Sequence, residues 1–195
     1  MTKRFIGIDV GGIKKGFHGI CIENGCIISK INHIDPLIIS EWCNNFTPSS
    51  IAIDSPCGWS STGYSRKAER DLRVNSYRIK CFCTPKKKIA KNNSFYNWVF
   101  NGMNLYKNLK KYGYDPIETY PHGITCCVGF DKKKSKIENR MSSLSFFLIK
   151  LKDEKCIDFI DATLCAVTAK YFYLNKVIKF GNNREGFIYL PNLEI

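Results

Sequence analysis

Long hydrophobic runs and acidic residues are both scarce in this sequence. No stretch approaches the roughly 18 to 20 uncharged apolar residues of a membrane-spanning helix, so we expect no membrane partner. The N-terminal segment MTKRFIGIDV enters a predicted strand directly and lacks the apolar core and cleavage site of a signal peptide. We therefore expect a cytoplasmic protein, and a length of 195 residues predicts a single domain over 1–195.

Cysteine pairs at metal-binding spacing are also missing, because none of the ten cysteines belongs to a C-x-x-C motif. The closest pairs are Cys81 with Cys83 and the adjacent Cys126 and Cys127. A four-cysteine zinc site normally uses two closely spaced pairs with a wider gap between them, so this pattern argues against one. We expect reduced thiols that pack mostly as small apolar side chains.

Acidic residues are scarcest in one quarter of the chain, which the basic residues dominate. The net charge is +13, and the segment from Arg66 to Lys111 contains 13 basic residues against two acidic ones, which leaves +11 in that segment. Aromatic residues are interleaved with these bases, at Tyr77, Phe82, Phe95, Tyr96 and Trp98. Bases combined with stacking platforms are typical of a groove that binds nucleic acid. A genome biased towards Lys, Asn and Ile is the alternative source of this charge.

The same segment predicts which bases contact nucleic acid. Arg66, Arg70 and Arg73 recur at i, i+4 and i+7, so they share one face of a predicted helix. The predicted nucleic-acid-binding residues are Arg66, Arg70, Arg73, Lys86, Lys87 and Lys88.

The hydrophobic pattern predicts an α/β fold. Predicted strands are residues 5–10, 16–22, 26–31, 50–54 and 115–120, and predicted helices are 36–46, 65–74, 94–112, 137–151 and 158–174. The short apolar runs 177–180 and 186–190 follow. Three strands, a helix, then alternating strands and helices is the element order of the RNase H-like fold, a mixed sheet with helices on both faces.

Four acidic residues lie at or near the edges of hydrophobic segments. They are Asp9, Asp54, Glu118 and Asp161, in the strings FIGIDVGG, IAIDSPCG, PIETYPHG and IDFIDATLCA. Carboxylates held at a sheet edge can bind Mg²⁺ or Mn²⁺ for two-metal hydrolysis of phosphodiesters, and Asp158 shares a helix face with Asp161. We therefore expect these acids to converge in one cleft. The alternative is that each acid merely caps its own element, as Asp residues before turns often do.

Five segments resemble one known family. GIDVGGIKKGF, AIDSPCGW, SRKAERDLR, IETYP and DFIDATLCAVTA look like the motifs of domain of unknown function family 429, whose members are described as predicted nucleases of RNase H fold. The resemblance runs from Gly7 to Ala169. It implies an acidic centre and an adjacent arginine cluster. The residues are Asp9, Asp54, Glu118 and Asp161, with Arg66, Arg70 and Arg73 beside them.

Two positions need separate interpretation. Glu69 stands where the family resemblance leads us to expect an Asp. His122 follows the ETYP string, and as a lone histidine after a proline we interpret it as a surface or supporting residue rather than a proton donor.

Two other functions are compatible with the sequence. GIDVGG also resembles the phosphate-binding hairpin of sugar kinases and actin-like ATPases, although those proteins normally bind nucleotide between two such domains. A nucleic-acid-binding module that keeps the fold and the basic face without turnover is the non-catalytic alternative. The sequence leaves open whether the substrate is DNA, RNA or a small phosphoester.

Overall fold

A seven-stranded mixed sheet forms the centre of the structure. The computed structural model describes residues 2–75, 78–151 and 154–193, so Tyr77 lies outside the described residues. The strands are β1 (Arg4–Val10), β2 (Phe17–Glu23), β3 (Cys26–His33), β4 (Ser50–Asp54), β5 (Ile117–Thr119), β6 (Val177–Asn182) and β7 (Gly186–Pro191). Their order in the sheet is β3-β2-β1-β4-β5-β7-β6. The α/β prediction is confirmed, and the arrangement is consistent with an RNase H-like fold.

Seven helices accompany the sheet in the described part of the chain. They are α1 (Pro36–Asn45), α2 (Lys67–Val74), α3 (Lys87–Ala90), α4 (Asn97–Lys111), α5 (Pro121–Val128), α6 (Lys136–Phe146) and α7 (Ile157–Tyr173). None of these helices has the length and apolar composition that a membrane crossing requires.

The first three strands form an antiparallel meander, and β1 pairs in parallel with β4. The β2–β3 hairpin turns at Asn24-Gly25, where φ is 51° and 78°. Two successive positive φ values suit a two-residue hairpin turn, and the Asn-Gly pair tolerates them best. This dipeptide is among the strongest hairpin signals in a sequence, and here it joins the two strands predicted at 16–22 and 26–31.

Helices cover both faces of the sheet. Ile6 and Ile8 of β1 pack with Ile39 of α1 and Leu105 of α4 on one face. On the other face α7 lies directly on β1, because a Cβ atom at Gly7 would collide with the α7 backbone. Alternate residues of β1 therefore point to α7 or to the α1–α4 side.

Some elements differ from the prediction. α5 is absent from the prediction, because a proline after a strand also marks a strand end. Pro121 instead occupies the first helical turn, where proline needs no amide partner. α6 ends at Phe146 instead of 151, and Leu148 adopts a φ of 58°. α2 lies along the edge strand β6, where Asp71 accepts a 3.1 Å hydrogen bond from the Gly181 amide.

Candidate active site

Three polar side chains stand side by side across the middle of the sheet. Asp9 of β1 is paired with His18 of β2 on one side and with Asp54 of β4 on the other. Directly paired residues on neighbouring strands point to the same face. Gly7, two residues before Asp9, touches α7, so the row faces that helix.

The first turns of α7 bring two more acids over this row. Asp158 and Asp161 are both buried, with 9 % and 4 % exposure. The Lys15 ammonium lies 2.6 Å from Asp158 Oδ1. Asp161 is bound by Arg140 Nε at 2.5 Å and by Lys136 Nζ at 3.0 Å. Four of the predicted carboxylates are thus brought together.

The electrostatics of Asp9 and Asp54 show a deficit of positive charge. Burial, followed by repulsion from Asp161 and Asp158, raises the pKa of Asp9 to about 7. Burial and the charges of Asp9 and Asp161 raise the pKa of Asp54 well above its ordinary value. Nearby cations offset these effects only in part. The two carboxyl groups on the sheet therefore gain from any additional cation placed between them.

A cleft of about 390 Å³ opens beside Asp54 and Asp161. Its other walls are Tyr120, His122, Phe130, Lys134, Lys136 and Arg140. Three of these side chains are basic, so the cleft combines an acidic floor with a cationic wall. An anionic ligand that also contacts a cation on the acids fits such a site.

His122 belongs to this cleft rather than to the open surface. Its ring packs edge-on against Tyr120 and Phe130, with centroid distances of 5.8 and 5.3 Å. Burial, then the charges of Arg140 and Lys136, lower the pKa of His122. The imidazole is therefore neutral at neutral pH and offers the cleft one donor and one acceptor nitrogen.

Glu118 does not join the other acids, because of its register. It is paired with Ile53 rather than Asp54, so its side chain leaves the opposite face of the sheet. There Arg66 Nη1 and Nη2 lie 2.8 and 2.5 Å from its two carboxylate oxygens, and the Cys57 amide donates to one of them at 2.7 Å. Glu118 leaves the sheet on the face opposite to the other acids and is held there by the buried Arg66, so its predicted role as a metal ligand does not fit this placement.

Arg66 is likewise placed away from solvent and cannot meet a phosphate backbone. Its exposure is 0 %, and its Nε donates to Glu69 at 2.9 Å while the rest of the guanidinium binds Glu118. Glu69 also accepts from the Arg66 and Thr84 amides. Arg66 precedes α2, whereas Arg70 and Arg73 lie within it. The prediction that Arg66 binds nucleic acid is therefore corrected to a buried structural role.

The remaining predicted bases are on the surface. Arg70 and Arg73 are exposed, and Arg73 donates to the Cys81 carbonyl at 3.0 Å. Lys86, Lys87 and Lys88 are exposed around the start of α3. None of these five lines the cleft, whose basic wall comes instead from α6 and the segment before it.

The family comparison covers nearly the whole of this architecture. Residues 7–185 match the family model described as "Protein of unknown function (DUF429)". The chain belongs to the DUF429 family. The resemblance recognised from the five sequence motifs is confirmed. Comparisons with curated proteins and with solved structures gave no match.

The acids of this DUF429 protein suit a hard divalent cation. Asp9, Asp54 and Asp161, with Asp158 at one side, offer only carboxylate oxygens, which Mg²⁺ and Mn²⁺ prefer. Within the described residues, no three acids hold their oxygens all within 4.8 Å of one another. Burial first, and then repulsion between the acids, raises the pKa of both Asp9 and Asp54.

Several residues of the site were not predicted from the sequence. They are Lys15, His18, Lys136 and Arg140, together with Thr125, whose hydroxyl accepts from Arg140 at 2.7 Å. Lys15 follows the Gly-Gly turn after Asp9, and this nearness was the only available signal. Nothing in the sequence links Arg140 to Asp161, because the two lie in different helices 21 positions apart.

Proposed function

We propose that this protein is a metal-dependent nuclease, in which Asp9, Asp54 and Asp161 hold Mg²⁺ or Mn²⁺ and Asp158 supports them. The observation that carries the proposal is the pairing of Asp9 with Asp54 on neighbouring strands, with the pKa of both carboxyl groups raised. Such a pair is costly to keep charged in the absence of a cation. A metal ion removes that cost, and this favours a metal site over four separate capping roles.

A bound divalent ion supplies a Lewis acid that lowers the pKa of water and stabilises negative charge on phosphoryl oxygens. Lys15 and Lys136 lie against the outer acids and are half exposed, with 53 % and 59 % of their side chains accessible. Both ammonium groups can therefore swing away when a cation arrives. Arg140 is buried and stays on Asp161, fixing the orientation of that carboxylate.

The basic wall of the cleft supplies the affinity for phosphate. Lys134 and Lys136 line the space beside Asp54, and each can move its ammonium group to a phosphate oxygen. Neutral His122 on the same wall can hydrogen-bond a sugar or phosphate oxygen. A charged polyanion is therefore drawn to the edge where the acids lie.

A longer binding surface extends from this edge. α4 begins close to the turn after β1, where Asn101 Nδ2 lies 3.4 Å from the Gly11 carbonyl. Aromatic pairs sit near this end of α4, with ring centroids 4.8 Å apart for Trp59 and Phe100, and 4.9 Å apart for Phe82 and Trp98. We propose that these half-buried rings and the exposed Lys86, Lys87 and Lys88 supply the stacking and charge that single-stranded nucleic acid uses.

The test is hydrolysis of labelled single-stranded and double-stranded DNA and RNA with Mg²⁺ or Mn²⁺. We expect cleavage that stops in excess chelator. Asp9→Asn should reduce the rate by more than about 100-fold, because loss of a residue that only supports a metal ligand already costs roughly 10- to 100-fold. Asp115→Asn is the matched control, because its carboxylate is 93 % exposed and bound only loosely to Lys110. Full activity of Asp9→Asn, or cleavage in chelator, contradicts the proposal.

The remaining outcomes identify the alternatives. Binding of nucleic acid that survives both chelation and Asp9→Asn, without cleavage by the wild type, identifies a non-catalytic module. Thermal protection by ATP instead identifies a nucleotide site at the Gly11-Gly12 turn. The cytoplasmic location stays a prediction, which fractionation of cells producing the protein tests.

A further inference from the structure

A second group of potential metal ligands lies at the β2 end of the polar row. His18, Cys156 and Asp158 each place one ligand atom within 4.8 Å of the other two. Asp158 Oδ2 is 3.9 Å from His18 Nε2 and 3.9 Å from Cys156 Sγ. Among the residues that the structure describes, these form the one such trio of His, Cys, Asp or Glu side chains.

We infer that His18, Cys156 and Asp158 form a binding site for a borderline-soft divalent cation, with Zn²⁺ as the best fit. Zinc takes imidazole, thiolate and carboxylate ligands in tetrahedral geometry. The edges of such a tetrahedron measure about 3.3–3.6 Å for bonds of about 2.0–2.3 Å. The observed 3.9 Å separations need contraction by only a few tenths of an ångström.

The neighbouring residues leave one oxygen of Asp158 free to bind a cation. Lys15 binds Asp158 through Oδ1, which leaves Oδ2 facing His18 and Cys156. The Asn32 amide lies 3.0 Å from His18 Nε2 and also donates to the Phe17 carbonyl at 3.1 Å, so it keeps a partner if the metal takes Nε2.

The packing of His18 holds its ligand nitrogen in place. The side chain is nine-tenths buried, and Nε2 lies 3.9 Å from Asp158 Oδ2 and 3.0 Å from the Asn32 amide nitrogen. The ring is held edge-on against Phe159, with centroids 4.9 Å apart, which fixes its plane beside Asp158.

The chemistry of this trio differs from that of the neighbouring acids. A thiolate and an imidazole favour Zn²⁺ over Mg²⁺, whereas Asp9, Asp54 and Asp161 offer hard oxygens alone. The row across the sheet therefore prefers Zn²⁺ at its His18 end and Mg²⁺ or Mn²⁺ at its Asp54 end. This inference does not depend on the proposed nuclease activity, because it concerns binding of a metal and not cleavage.

The experiment uses Co²⁺ as a spectroscopic substitute for Zn²⁺ in the reduced, metal-stripped protein. We expect a near-ultraviolet thiolate-to-cobalt charge-transfer band that saturates at one equivalent and is abolished by one equivalent of Zn²⁺. Cys156→Ser should remove the band and weaken Zn²⁺ binding on the order of 10-fold or more. Cys26→Ser is the control, because that thiol is exposed on the β2–β3 hairpin and should leave the band intact.

Two further variants separate this site from the neighbouring acids. Asp9→Asn should retain the cobalt band, whether or not the protein cleaves nucleic acid. His18→Gln should shift or remove it, with circular dichroism showing that the variant remains folded. Absence of a band in the wild type, or an undiminished band in Cys156→Ser, overturns the inference.

Discussion

Asp9 and Asp54 occupy the same register position on the parallel strands β1 and β4, so both carboxyl groups leave the same face of the sheet beneath α7. A shift of one residue in that pairing would have turned Asp54 to the other face. The close approach of the two acids is therefore fixed by the backbone hydrogen bonds of the sheet.

The free energy of unfolding should depend on pH because Asp9 binds a proton more tightly in the folded protein than in the unfolded chain. The pKa of this carboxyl is about 7 in the folded protein and 3.8 without the fold's influence. Because the folded state keeps a proton that the unfolded chain loses, the free energy of unfolding should fall as pH rises from about 4 to 7. Asp9→Asn should remove on the order of 2 kcal/mol of that fall.

Urea denaturation in chelator at pH 5 and pH 7.5 measures this difference. Asp115→Asn, the exposed control, should show the wild-type fall. An equal fall in wild type and Asp9→Asn would show that Asp9 titrates normally in the fold.

Removal of the Lys136 charge should tighten the binding of Mn²⁺. Its ammonium lies 3.0 Å from Asp161 and lowers the pKa of Asp9, so it competes with a metal for the same acids. We expect Lys136→Met to increase Mn²⁺ affinity on the order of 5-fold, about 1 kcal/mol, in isothermal titration calorimetry. Lys133→Met, on the exposed segment before α6, should leave the affinity unchanged. Weaker binding by Lys136→Met would mean that the metal does not share these carboxylates.

Substitution of Arg66 should destabilise the fold rather than weaken a nucleic-acid contact. The side chain is fully buried between Glu69 and Glu118, and its removal leaves both carboxylates without their main counter-ion. We expect Arg66→Met to lower the free energy of unfolding by about 3–5 kcal/mol in urea denaturation. Arg184→Met, at an exposed turn, should stay within about 0.5 kcal/mol of wild type. A stable Arg66→Met protein with weakened nucleic-acid binding would restore the role predicted from the sequence.

Charge reversal at Lys86, Lys87 and Lys88 should weaken nucleic-acid binding and flatten its salt dependence. Each lost phosphate contact should reduce the slope of log affinity against log salt by about 0.7 on a single strand. The matched variant reverses Lys107, Lys110 and Lys111, which lie towards the far end of α4 from Asn101, and changes the net charge equally. Fluorescence anisotropy with a labelled single strand compares the two. Equal effects would reveal an attraction to overall charge instead of a defined surface.

The sequence predicted those parts of the fold that local signals determine. Asn24-Gly25 placed the first hairpin, and apolar segments placed most strands and long helices close to their observed bounds. α5 was missed because a proline after a strand marks a strand end and a helix start equally well. In this protein Pro121 is the first residue of helix α5.

The site was predicted less completely, because its geometry depends on register and on distant partners. Because Glu118 lies near the end of β5, we expected it to converge with the other acids. Its pairing with Ile53 turns its side chain to the opposite face of the sheet. The register between strands joined by a long crossover leaves no local signal in the sequence. Arg66 resembled a surface base at helical spacing, yet its burial depends on Glu118, 52 positions away. Arg140 was overlooked for the same reason.

The direct backbone contact between Gly7 and α7 limits local unfolding around the site. Because Gly7 has no side chain, the helix carrying Asp158 and Asp161 rests at that point directly on the strand carrying Asp9, and the two form one packed unit. These acids cannot separate unless the centre of the protein comes apart, so amide hydrogens of β1 and α7 should exchange with solvent only through global unfolding. Substitutions in the surface loops can thus alter which ligands reach the site without disturbing the spacing of its carboxylates.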